Sequence, residues 1–225
     1  MIPIKQDASN YNFYLLNNNA NEKKRRTALL ERCNQYRLNI QKRNPGELAS
    51  MAAMSIRHES DGSIILNGEH FNETYMLKWP ELTIIDSRGK AASRQTEVLW
   101  LHYLDRADGF PLARRWVNLS EIGGLFYQQA FQGYCGDELA KSWGSNIEGL
   151  EQRCLDKGGW SLSGLADLAF EWRALPRFPL CICYRLSGES AEAWATVLFD
   201  ASASHYVAAD VAAIVGKNLV DQLKL

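Results

Sequence analysis

A chain of 225 residues is long enough for one compact domain or two small lobes, and 46% hydrophobic with 23% charged residues gives it the material for a buried core, which excludes a disordered chain. A formal net charge of −1 excludes a global field drawing the protein to nucleic acid or to an anionic membrane. No apolar run approaches the roughly 20 residues a membrane helix needs.

The opening stretch MIPIKQDASNYNFYLLNNNANEKKRR has no charged start followed by an apolar core and a small-residue cleavage site, so it does not read as a signal peptide. Residues 1–22, with Asn17, Asn18 and Asn19, read as a flexible tether, and the basic run EKKRR at 22–26 reads as a solvated helix start. From 23 to 43, Leu29, Leu30, Cys33, Tyr36, Leu38 and Ile40 fit a helix of moderate amphipathicity that Asn44-Pro45-Gly46 stops. Pro45 is placed to begin a second short helix ending near Met54. Strands are predicted at 55–60 and 63–67, joined by the tight turn Asp61-Gly62, then at 71–79 and 82–86. In 71–79, Phe71, Tyr75, Leu77 and Trp79 are expected on one side.

Ser93 reads as the N-cap of a helix running to about Arg106, with Glu97 in its first turn region. Ser120-Glu121 opens another helical stretch, expected to break at 133–136 and to continue through Leu139, Trp143, Ile147, Leu150 and Cys154 until Gly158-Gly159. The last third changes period. Leu168, Phe170 and Trp172 alternate with polar residues; Phe178, Leu180, Ile182, Tyr184 and Leu186 alternate with Cys181, Cys183 and Arg185. With a strand at 194–199, reached through a polar loop at 187–192, these predict an antiparallel meander with one buried face. A final helix over 210–225 carries Val211, Ile214, Val215 and Leu219 on one face. The class is α+β: antiparallel sheets flank a helical middle, and the C-terminal helix lies on the sheet. After the tether, residues 23–225 are expected to form one domain, divisible into lobes at 23–90 and 91–225.

Two clusters could carry chemistry. The run VLWLHYLDRADGFPL (98–112) sets His102 on an apolar helix side, Asp105 three residues on and Asp108 at the helix exit; such a His–Asp pair could move a proton or bind a metal, or be a satisfied core histidine beside a turn aspartate. In VLFDASASHYVAAD (197–210) a strand runs out before Asp200 into a small-residue loop leading to His205 and Tyr206. Ser202 and Ser204 lack a nucleophile-elbow pattern, and Asp200 with these serines could equally cap a turn. A third pair, Asp167 and Glu171, shares a strand face at about 13 Å from strand rise, beyond the usual separation for paired carboxylate catalysis. The five cysteines, Cys33, Cys135, Cys154, Cys181 and Cys183, show no two-residue gap typical of zinc or iron–sulfur sites and read as free thiols in a reducing cytoplasm; Cys181 and Cys183 share one strand face, where a metal or redox pair is the alternative. No phosphate-cradling glycine loop, dinucleotide fingerprint or zincin helix is present.

Taken together, LWLHYLDRADGFPLARRWVNLSEIGG, ALPRFPLCICYRL and ATVLFDASASHYVAADVAAIV resemble the bacterial domain-of-unknown-function family numbered three-seven-eight-six, over residues 34–223. The resemblance implies an anaerobic bacterial source and, in some members, a ferredoxin-type cysteine segment. This chain has Cys33 alone in that region, so no iron–sulfur cluster is expected within it. The resemblance supplies no reaction, but it favours His102, Tyr103 and Asp200 as site residues.

The sequence therefore predicts a cytoplasmic accessory protein that binds a small molecule or cofactor, a metal or a tetrapyrrole-like ring, between the helical middle and the C-terminal sheet. His102, Tyr103, Asp105, Asp108, Asp200, His205 and Tyr206 are the expected binding residues, with His102 and His205 as metal ligands or hydrogen-bond donors oriented by Asp105 and Asp200. Its partner is the ligand or a redox protein. The alternatives are a small-molecule enzyme using the same His/Asp groups for acid–base chemistry, and a partner-binding module without chemistry.

Overall fold

The computed structural model describes residues 19–186 and 192–225. The expected tether therefore lies outside the described residues up to residue 18, and most of the 187–192 loop does too. Helix α1 spans Asn19–Ile40, so residues 19–22 belong to a helix. Helix α2 (Pro45–Met51) starts as the Asn44-Pro45 pair dictates: the Asn44 side chain accepts from Gly46 N and Glu47 N.

Strands β1 (Ser55–His58), β2 (Ile64–His70), β3 (Glu73–Trp79) and β4 (Thr83–Asp86) form an antiparallel sheet in chain order. Gly62 takes φ 86° in the first turn, as expected, but Asp61 does not share the positive φ, and residues 59–63 connect the strands in place of the tight two-residue turn. The second turn corrects the sequence reading. Phe71 does not begin β3: it and Asn72 both adopt positive φ (47° and 65°) and link β2 to β3 as a two-residue turn. Asn tolerates that conformation better than most residues, and it carries Phe71 into a strained position.

Helix α3 (Arg94–Arg106) is capped by Ser93, whose hydroxyl accepts from Thr96 N at 3.2 Å. Glu97 in its first turn ties α1 to α3 through Arg37 and also meets Arg94 at 2.5 Å. The 133–136 break is not one. Helix α4 (Gln128–Gln132) passes through a π-helical turn, Gly133–Asp137, directly into α5 (Glu138–Trp143). The chain actually breaks at Gly144 (φ 54°), before α6 (Ile147–Asp156). The π turn brings the Gly136 backbone against β9, so close that a Cβ there would lie 2.2 Å from the Ala195 carbonyl oxygen.

The second sheet has the order β5 (Trp116–Val117), β9 (Trp194–Asp200), β8 (Phe178–Arg185), β7 (Leu168–Leu175), β6 (Trp160–Ser161), all antiparallel. The expectation of one buried face holds on the side of Phe170, Leu180, Ile182 and Phe199 and fails on the other. Cys181 and Cys183 are also buried, in a small second cluster with Ala169, Trp116, Leu162, Ala166 and Leu198. Thiols behave as small hydrophobes, and a loop folding over them costs them nothing. Helix α7 (Ala209–Leu223) packs on this sheet through Gly216, whose absent side chain leaves room for Phe131 and Val197. One hydrophobic cluster joins residues of both sheets and of helices α1 to α7, among them Cys33, Leu66, Trp100, Phe131, Leu180 and Val220. The sheets also meet directly: Phe71 N donates to Arg173 O at 3.3 Å.

The π turn supplies a paired test. Gly136→Ala must displace backbone and is expected to cost about 1–3 kcal/mol, whereas Gly133→Ala, with nothing within 4 Å of the added Cβ, is expected to be neutral or slightly stabilising. Urea denaturation of the two variants measures the difference.

Candidate functional site

The periodicity of α3 buries Val98, Trp100, Leu101, Tyr103 and Leu104, and it carries His102 inward beside them at 7% exposure. His102 spends both ring nitrogens on other elements. Nε2 accepts the backbone N–H of Ala208, the N-cap of α7, at 3.0 Å. Nδ1 lies 2.8 Å from the Tyr36 hydroxyl of α1. An amide N–H can only donate, so Nε2 carries no proton and the neutral ring holds its proton on Nδ1. Burial, then the nearby Arg106 and Arg32 charges, push the His102 pKa down to about 3, so the ring is uncharged at neutral pH. The expected His102–Asp105 pair is not formed: Tyr36 and Ala208 take the ring, and both come from elements distant in sequence.

His205 likewise has a different partner from the one expected. Its Nδ1 meets Asp108 Oδ2 at 2.6 Å, and its ring stacks on Phe110 at 3.9 Å with an interplanar angle of 7°. Burial raises the Asp108 pKa, but the hydrogen bonds from His205 and the Phe110 amide outweigh it and hold the carboxyl below its usual value. This pair is on the surface, with side-chain exposures of 34% and 49%.

Asp200 organises the loop around it. It accepts from Ala113 N at 2.9 Å and Arg114 N at 2.7 Å, and from both Ser202 N (2.9 Å) and Ser202 Oγ (2.6 Å). The carboxylate thus pins Arg114 in a left-handed conformation (φ 53°) and occupies the one serine hydroxyl nearest to it. Tyr103 and Tyr206 are fully buried and stacked at 5.6 Å. Tyr103 donates to Ala52 O at 2.6 Å and accepts from Arg177 N at 3.1 Å, while Tyr206 donates to Phe110 O. Both therefore serve the core. Asp167 lies just before β7 and accepts from Leu186 N at 2.9 Å; burial raises the pKa of Glu171 within the strand.

The expected residues thus divide into a buried histidine, a surface His–Asp pair, a loop anchor and two core tyrosines. They do not make a metal centre: among the described residues no group of three or more His, Cys, Asp or Glu could hold an ion, and His102 has no free lone pair to offer.

What the structure does provide is a cavity of about 400 Å³ where α1, α3 and α7 converge above the β2–β3 turn. Of the expected site residues, only His102 lines it. Its other polar groups include Arg32, Tyr36, His70, Asp210 and Asn218, and its apolar wall is made by Phe71, Leu99, Val211 and Ile214. The cavity lies against the C-terminal helix, not the C-terminal sheet. Two of the four residues that the helical stripe assigned to the core, Val211 and Ile214, line the cavity and are only half-buried. His70 ends β2; its Nδ1 donates to Ala174 O at 2.6 Å, and burial, opposed by that bond and by Glu73, lowers its pKa. Asp221 at the cavity margin is neutralised by Lys217 and by Lys224, the latter at 3.0 Å. No local signal marks Tyr36 or His70 as site residues, because each acquires its role from a partner more than sixty residues away.

A histidine held neutral to about pH 3 when folded but titrating near 6.5 when unfolded contributes stability that is fully present above about pH 6.5 and is lost as pH falls toward the folded value. We expect His102→Gln to remove about 2–3 kcal/mol of the stability difference between pH 7 and pH 4.5, leaving the part due to His70, whose shift has the same sign. Urea unfolding of wild type and variant at both pH values reads this out.

No curated protein and no solved structure matches this chain. A family model does match, over residues 44–222, beginning after α1 and ten residues later than the sequence motifs suggested. That stretch contains His102, Asp108, Asp200 and His205, whereas the α1 wall of the cavity precedes it. With well over half of its length matched, the chain belongs to the family described as Domain of unknown function (DUF3786).

Proposed function

We propose that this chain is a small-molecule-binding protein whose ligand sits between α1, α3 and α7. The observation that carries the reading is the cavity itself. Its roughly 400 Å³ falls in the range of organic-ligand sites, and a few polar groups converge on an apolar wall, the usual composition of such sites. The residues present favour an organic ligand over a metal or a metal-centred macrocycle, since His102 is committed at both nitrogens. The compartment we infer is a reducing one, such as the cytoplasm, because all five cysteines are buried and free. No helix among the described residues is long and apolar enough to cross a membrane.

A second reading, acid–base catalysis, is favoured by one specific geometry. Asp108 holds His205 by Nδ1, which leaves Nε2 as the nitrogen able to exchange a proton with a substrate, and Phe110 fixes the ring plane. On that reading Asp108 is a positioning residue and His205 the base.

Filling the cavity separates the two. In a ligand-observed NMR screen of small aromatic and alicyclic fragments, Ile214→Trp is expected to remove binding seen with wild type, while His205→Ala leaves it unchanged. Equal binding to wild type and Ile214→Trp, with melting temperatures within a few degrees, would falsify the cavity reading.

A further inference from the structure

The hydrogen-bond direction fixed at His102 has a consequence for the cavity. Nε2 must accept from Ala208 N, so Nδ1 must be the donor toward Tyr36 Oη. The Tyr36 oxygen is thereby an acceptor in that contact, and its own proton is not used there. Among the described residues no acceptor takes it. Tyr36 lines the cavity, so the site contains a hydroxyl donor whose orientation is set from behind by a neutral ring and a helix-start amide.

Charges of both signs act on this hydroxyl. Asp105 and Asp210 act on Tyr36 with one sign, Arg32 and Arg106 with the other. On the cavity floor, His70 gives its Nδ1 proton to Ala174 O and stays neutral, so its Nε2 offers a lone pair. The cavity thus presents a fixed donor and a fixed acceptor, both uncharged, beside an apolar wall.

Resting on the cavity reading above, we infer that the ligand class is an uncharged ring compound bearing a carbonyl oxygen that accepts from Tyr36 and an N–H available to donate to His70. The polarity follows from backbone geometry: the Ala208 N–H keeps His102 Nε2 unprotonated, and the Ala174 carbonyl keeps the His70 proton on Nδ1.

Three bicycles of nearly equal shape test this: 3,4-dihydro-2-quinolinone, with C=O and N–H; 1-tetralone, with C=O only; and tetralin, with neither. Titration into the full chain is followed by ¹H–¹⁵N NMR at the Ala208 amide. We expect affinity to fall in that order. Tyr36→Phe should weaken both carbonyl compounds about 3- to 10-fold, the effect of one neutral hydrogen bond, and leave tetralin within about twofold. The ¹⁵N shifts of the His102 ring in unliganded wild type should show protonation at Nδ1, a readout independent of any ligand and of the stability of a variant.

Equal affinity for all three, unchanged by Tyr36→Phe, would leave the cavity reading standing and overturn the ligand class. A proton on Nε2 of His102 would overturn it at its premise. Failure of all three compounds to perturb any cavity residue would overturn both readings.

Discussion

The His102 side chain is the point on which the site depends. It is one ring on α3, yet it accepts the first free amide of α7 and donates to a hydroxyl on α1. A helix start has backbone N–H groups with no intrahelical acceptor, and the imidazole of another helix accepts one of them, the N–H of the N-cap residue Ala208 itself. Because the ring is desolvated, protonating it would bury an uncompensated charge and set its Nε2 proton against an amide proton. The same contact therefore sets the tautomer, the position of α7 and the direction of the Tyr36 hydroxyl. Glu97, one and a half turns earlier on α3, binds Arg37, the residue after Tyr36 on α1, and adds a second tie between the two helices.

A division of labour runs through the segment 200–210. Asp200, buried and saturated, shapes the loop by holding Ala113, Arg114 and Ser202. His205, five residues on, is half-exposed and bound to a single carboxylate. Ala208 and Asp210 then belong to the helix start and the cavity. Groups adjacent in sequence thus face three separate environments, and a cluster of polar residues in a short run does not make a common site.

Much of the architecture was legible in the sequence where the governing physics is local. Ser93 caps α3 because a hydroxyl at that spacing reaches a free amide, Asp61-Gly62 turns because glycine accepts positive φ, and the alternation in 168–185 gives strands. Local rules failed in informative ways. Phe71 reads as a strand residue on hydrophobicity, but Asn72 permits the turn that captures it. Glycines at 133 and 136 read as breakers, yet a wider helical turn uses Gly136 to let β9 approach. The histidine partners were not legible at all: sequence proximity suggested Asp105 for His102 and Asp200 for His205, whereas the fold supplies Tyr36 and Asp108. Hydrogen-bond partners across 66 and 97 residues leave no periodic trace.

The second sheet closes with a consequence for how this protein behaves at high concentration. Its three long strands, β7, β8 and β9, are flanked on both outer sides by strands only two residues long, β5 and β6. A neighbouring chain seeking to extend that sheet meets at each margin a ladder too short to template pairing, followed at once by loop. The three long strands, including the cysteine-bearing face of the sheet, are thus bordered by strands that offer almost no main-chain grip.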